Sequence, residues 1–186
     1  NDPYPAGLPG EVTLKPLHGG TTTIFDQTIL YTVGNWWVEA TDVSTSSIYG
    51  RQENISVSPA SAYRFVVTPQ SNQNVPAGSF QEITAYLSDF YGNRTPEQGR
   101  PCELTITDVV GSPGYLTITS TATDANGGIG PIQYNVSTTA GDKATITVTT
   151  GTITGKSALI TTIGGDPNYL VFIGTPPATL VAGNVT

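Results

Sequence analysis

The chain has 186 residues, 37% of them hydrophobic and 11% charged, with 14 acidic against 7 basic side chains and a formal net charge of −7. That is enough apolar material for a core, and it excludes a disordered acidic tail, a basic patch able to hold phosphates and an apolar run of roughly 20 residues able to span a bilayer. One His (His18), one Cys (Cys102) and no Met exclude an internal disulfide and leave too few soft ligands for zinc, haem or iron–sulfur chemistry, so no cofactor is expected.

Strands dominate the pattern, because short windows alternate with period two and no window carries the i, i+3, i+4, i+7 spacing of an amphipathic helix. In chain order, Trp36 to Thr41 is the first extended run, followed by Ser47 to Arg51 and Tyr63 to Val67. Phe80 to Ser88 is the clearest strand: Ile83, Ala85 and Leu87 share one side, and Glu82, Thr84 and Tyr86 the other, as expected for one buried face. Cys102 to Thr107 follows, with Cys102 in phase with Leu104 and Ile106 and so read as a small buried hydrophobe. Ile132 to Val136, Lys143 to Thr149 and Thr152 to Ile160 complete the series, and Tyr169 to Ile173 opens another. Gly92-Asn93, Ser112-Pro113-Gly114, Asn126-Gly127-Gly128 and Gly164-Gly165-Asp166-Pro167 punctuate the runs as turns. Short strands with no helix between them predict antiparallel sheets packed face to face.

Three segments recur in order at nearly one spacing. Tyr63 to Val67 with Ala77-Gly78 returns as Tyr169 to Ile173 with Ala182-Gly183, about 105 residues on. Ser47-Ile48-Tyr49-Gly50-Arg51 returns as Thr152-Ile153-Thr154-Gly155-Lys156, and Thr32-Val33-Gly34 as Thr139-Ala140-Gly141 with one inserted residue before the following strand. The expected organisation is therefore the C-terminal part of one unit over 1–59, a complete unit over 60–165 and the first strand of a third over 166–186. The joints, Pro59-Ala60 and Gly164-Gly165-Asp166-Pro167, leave little slack, which predicts a stiff rod. A chain that opens on Asn1 and repeats in this way is expected to be a window from a longer polypeptide.

The residues also carry a resemblance. PAGSFQEITAYLSDFYGN (Pro76 to Asn93), STTAGDKATITVT (Ser137 to Thr149) and YTVGNWWVEATDVSTSSIYGRQENISVSPASA (Tyr31 to Ala62) are similar to the tandem bacterial Ig-like repeats of large surface proteins, the group that includes invasin- and intimin-type adhesins. The first segment resembles that family's opening strand with its closing Asp-x-x-Gly-Asn turn, the second its late Ala-Gly turn and strand. The Trp36-Trp37 pair departs from the family, which has smaller residues there. The resemblance implies an all-β fold of tandem immunoglobulin-like antiparallel β-sandwiches and a load-bearing, extracellular or cell-surface role. The expected partners are neighbouring copies of the same repeat or subunit, with strand complementation between chains as an alternative because 1–59 and 166–186 are incomplete units with unpaired edges, and with no nucleic acid and no membrane insertion.

Candidate sites are few. His18, the only imidazole, sits in a Gly/Pro-rich turn, and a narrow sandwich offers no cleft for paired carboxylates, so no enzymatic activity is expected. Asp166 is the one position weighed as a calcium ligand, and no Asp-x-Asp spacing supports it. Adjacent strand residues point to opposite faces, so Trp36 is expected inside and Trp37 outside. Trp37, and Tyr91 at the tip of Asp89-Phe90-Tyr91-Gly92-Asn93, are the candidate stacking platforms for a surface glycan or a host receptor. Asn-x-Ser/Thr sequons fall at Asn54, Asn93, Asn135 and Asn184.

Overall fold

Alternation of apolar and polar residues in short runs, many of them closed by Gly, Asp or Ser, folds this chain into strands. A computed structural model describes Gly7, Gly10 and residues 28–165, and no helix occurs among these. Twelve strands are present among the described residues. The first six are β1 (Gly34–Thr41), β2 (Tyr49–Val57), β3 (Arg64–Val67), β4 (Gln73–Pro76), β5 (Phe80–Ser88) and β6 (Pro101–Val110). They are followed by β7 (Tyr115–Leu116), β8 (Ser120–Ala122), β9 (Gly128–Asn135), β10 (Lys143–Thr150), β11 (Ile153–Lys156) and β12 (Ile160–Ile163).

Strands β3 to β12 build an all-β sandwich. One sheet has the order β3-β5-β9-β7, the other β4-β12-β10-β6-β8 with β11 also on β10. Ile83, Ala85 and Leu87 of β5 face Leu104, Ala144, Ile146, Val148 and Ile160 of the opposite sheet in one buried cluster. Cys102 is in that cluster, as its phase predicts.

Three features depart from the expected pattern. The pairing is not wholly antiparallel, because β4 lies parallel to β12, with Ile160 opposite Gln73 and Ile163 opposite Pro76. The cause is that the opening strand is split: β3 pairs with β5 in one sheet, and the chain then crosses to the edge of the other. The run Thr152 to Ile160 is not one strand either. It breaks at Ser157, whose hydroxyl accepts the Ile146 N–H at 2.9 Å while its own N–H donates to the Ile146 carbonyl. Finally, β4, β7 and β8, of two to four residues each, are too short to show a period.

Strands β1 and β2 form a separate two-stranded sheet. Trp36 is half-buried and Trp37 is 52% exposed, so the alternation sets their faces as expected. Its register matches that of β10 with β11 and β12. Trp36 opposite Ile55, Glu39 opposite Arg51, Ala40 opposite Gly50 and Thr41 opposite Tyr49 correspond to Ala144 opposite Ile160, Thr147 opposite Lys156, Val148 opposite Gly155 and Thr149 opposite Thr154. Each hairpin also carries one extra residue on its second strand at the same place. In β2 this is the Glu53-Asn54 bulge opposite Trp37, where Asn54 takes φ 60°; in the sandwich it is the break between β11 and β12.

Candidate functional site: the joint between hairpin and sandwich

The best-defined polar constellation lies where β2 runs into β3, and it is organised by the turn that closes β5. Asp89 follows the last residue of β5 and is fully buried. A buried carboxylate must be met by donors, and four reach it. Oδ1 accepts the N–H groups of Tyr91 at 3.0 Å and Asn93 at 2.8 Å. Oδ2 accepts the Ala60 N–H at 3.0 Å and Asn93 Nδ2 at 2.8 Å. Burial pushes this carboxyl up, but the bonds from the Asn93 side chain, Ala60, the Asn93 backbone and Tyr91 outweigh it and hold the group below the ordinary aspartate value.

Asn93 carries the contact across the joint. Its Nδ2 also donates to the Tyr31 carbonyl at 2.7 Å, and its Oδ1 accepts the Val33 N–H at 3.1 Å. The carboxamide thus offers one acceptor and one donor to the segment ahead of β1, as a peptide group of a neighbouring strand would. The network admits only this orientation of the amide, since the reverse would set its oxygen against the Asp89 carboxylate and its NH2 against the Val33 N–H.

Aromatic rings extend the contact. Tyr31 and Tyr91 lie 4.5 Å apart between centroids, Phe90 meets Tyr91 edge-on at 5.5 Å, and Tyr63 meets Phe90 edge-on at 5.3 Å. The connecting segment is pinned on the sandwich side as well. Tyr63 N–H donates to the Ser88 carbonyl at 2.8 Å, and the half-buried Ala62 packs on the core. Behind the turn, Asp124 accepts the N–H groups of Asn126 and Gly128 at 2.8 Å each, and Arg94 Nε donates to the Asn126 carbonyl at 2.7 Å. The two Asp124 bonds hold its carboxyl below the ordinary value against a smaller effect of desolvation, with Arg94 adding to them. The loop that holds Asn93 is therefore itself held.

The residues singled out in the sequence fall as follows. Pro59 and Ala60 are in the joint, with Ala60 bonded to Asp89. Tyr91 is in the ring row, half-buried. Trp37 lies away from it on β1, with the Arg51 guanidinium 3.9 Å over its ring and Glu53 paired to Arg51 at 3.0 Å. Gly164 and Gly165 are exposed beyond β12. Asp166, Pro167, His18 and Asn184, together with the strand expected from Tyr169, lie outside the described residues. Among the described residues no group of three His, Cys, Asp or Glu side chains is placed to hold a metal ion.

Asp89 and Asn93 were visible in the sequence only as a turn and a sequon. The Asp-x-x-Gly-Asn spacing was the available signal, and what it could not show is that the Asn side chain reaches residues some 60 positions back.

Comparison with known proteins finds no family model and no curated protein that match. Among solved structures, the chain is similar to surface layer protein SbsC, domains 4–9, at 17% identity and a TM-score of 0.36, over 76% of this chain and 20% of that one. It is also similar to domains 4 and 5 of the S-layer protein SbsC, at 19% identity and a TM-score of 0.31, over 74% of this chain and 62% of that one. The chain thus spans about a fifth of the length of the first and under two thirds of the second. Neither likeness is close enough to transfer a role.

Proposed function

We propose that this chain is a structural segment of an extracellular surface layer, stalk or fibre, in which immunoglobulin-like modules follow one another end to end and are held in fixed orientation. The observation that carries the reading is the Asp89–Asn93 clamp, which ties the end of one module to the start of the next through side-chain bonds in place of a free linker. The register shared by the β1–β2 hairpin and β10 to β12 supports treating residues 1–59 and 60–165 as copies of one unit. The strand partition supports the immunoglobulin type, since β3, β5, β9 and β7 share one sheet and β6, β10 and β11 the other. The motif resemblance to invasin- and intimin-type repeats points the same way.

The mechanics follow from the topology. The chain comes into the sandwich beside Ser88 and Asp89 and leaves it beside Ala77, whose N–H bonds the Ile163 carbonyl. These are opposite ends of β5's sheet, because β3 runs antiparallel to β5 away from Ser88. Tension between neighbours then loads the parallel β4–β12 pair in shear, where its hydrogen bonds must fail together and not one at a time.

Asn93→Ala tests the reading. It removes both bonds to the Tyr31–Val33 segment, and with them one of the four donors to Asp89, and leaves the apolar core of the sandwich untouched. Small-angle X-ray scattering should show a broader distribution of shapes for the variant than for the wild type, with the melting temperature of the sandwich shifted by only a few degrees. An unchanged scattering curve would remove the clamp as the source of stiffness.

A further inference from the structure

We infer that the exposed turn Thr138–Gly141, ahead of β10, is the receiving surface for the Asp-x-x-Gly-Asn loop of a following module. The inference rests on the modular reading above and adds to it the place where the next unit is gripped.

The turn is the counterpart of a segment that Asn93 already grips. Tyr31, Thr32 and Val33 precede β1, and the Thr32-Val33-Gly34 motif returns as Thr139-Ala140-Gly141 ahead of β10. Gly34 takes φ 149° and Gly141 φ 95°, so each glycine sits in the region that disfavours a side chain at the point where its strand begins. Ahead of β1, the Tyr31 carbonyl and the Val33 N–H are both engaged by Asn93. By the motif, their counterparts are the Thr138 carbonyl and the Ala140 N–H, and neither makes a hydrogen bond to the described chain. Thr138, Thr139 and Ala140 are exposed.

The turn is pinned at its base. Ser137 and Asp142 at its base are both buried, with the Ser137 hydroxyl donating to Asp142 Oδ2 at 2.6 Å. Asp142 Oδ2 also accepts the Ser112 N–H at 3.1 Å. Thr139 N–H donates to Ser137 Oγ at 3.0 Å, and Gly141 N–H to the Thr162 carbonyl at 2.7 Å. The base is fixed, and the unbonded groups of the tip include the Ala140 N–H and the Thr138 carbonyl, a donor and an acceptor that a primary carboxamide complements. The turn also stands at the end where the chain leaves the sandwich, since Ser137 accepts the Gly78 N–H beside Ala77 and Ile163. The occupant is therefore a second copy of this module, presenting the asparagine that corresponds to Asn93.

The test is a chain in which residues 169–186 are replaced by a second copy of residues 63–165, so that the copy's Tyr63 stands where Tyr169 stands. Amide hydrogen exchange at Ala140 of the first copy is the readout. Ala140 should exchange at least tenfold more slowly in the lengthened chain than in 1–186, and Asn93→Ala in the second copy should abolish the slowing. If Ala140 exchanges equally fast in both while Ile83 and Leu87 of the second copy are protected, the docking inference is overturned and the modular reading survives. If those second-copy core amides are unprotected, the modular reading falls and this inference with it.

Discussion

At the scale of single residues, Asp89 is the group on which the joint depends. Removing its carboxylate strands four donors in a site with no exposure, so Asp89→Ala should cost roughly 2–4 kcal/mol, measurable by urea denaturation. Its pH dependence has a definite sign. The folded pKa is held below the unfolded one, so the stabilisation is complete above the unfolded value of about 4 and is lost as pH falls through the lower folded value. Wild type and Asp89→Asn should therefore differ most near neutral pH and converge in acid. A constant gap down to pH 2 would assign the effect to shape and not to charge. The same residue shows the limit of reading a sequence. Its turn chemistry is written locally in Asp89-x-x-Gly92-Asn93, whereas the 0% exposure and the bond to Ala60 come from elements far away in the chain.

At the scale of elements, alternation gave the buried faces of the long core strands, while the bounds held for some and not for others: Ser47 to Arg51 became Tyr49–Val57 and Ile132 to Val136 became Gly128–Asn135. Phe80–Ser88 has the bounds and the faces expected, and Lys143–Thr150 differs by one residue. The expectation failed where pairing, and not periodicity, sets the outcome. β11 and β12 break because Ser157 substitutes its hydroxyl for a ladder acceptor, and β4 is a strand only because the edge of β12 is there to receive it. Gly155 shows why the last hairpin needs its small residue: a Cβ there would lie 2.2 Å from the Phe65 carbonyl oxygen and 2.6 Å from Phe65 Cβ. Gly155→Ala should push β11 off β3 and lower stability by about 2 kcal/mol or more. A melting temperature equal to wild type would mean that the β3–β11 crossing relaxes freely.

At the scale of the whole molecule, the geometry bears on force. The Gln73 N–H bonds the Leu159 carbonyl at 2.9 Å, at the start of the parallel pair. Gln73→Pro removes that donor at an equilibrium cost of about 1 kcal/mol. In single-molecule pulling of the full chain, the variant should rupture at a clearly lower force than wild type, out of proportion to its small loss of stability. Equal rupture forces would place the mechanical barrier elsewhere than β4 and β12.

What the sequence determined by itself was the all-strand architecture, the buried side of each long strand, the inward Cys102 and the turns, because these follow from local periodicity and from residues whose backbone preferences act within a few positions. What only the tertiary structure decided was the parallel edge, the break at Ser157 and the use of Asn93. Each of those depends on which backbone groups are left unpaired once the sheets have met. A polar group's partner is chosen by proximity in space, and at the joint that proximity spans some 60 residues of chain.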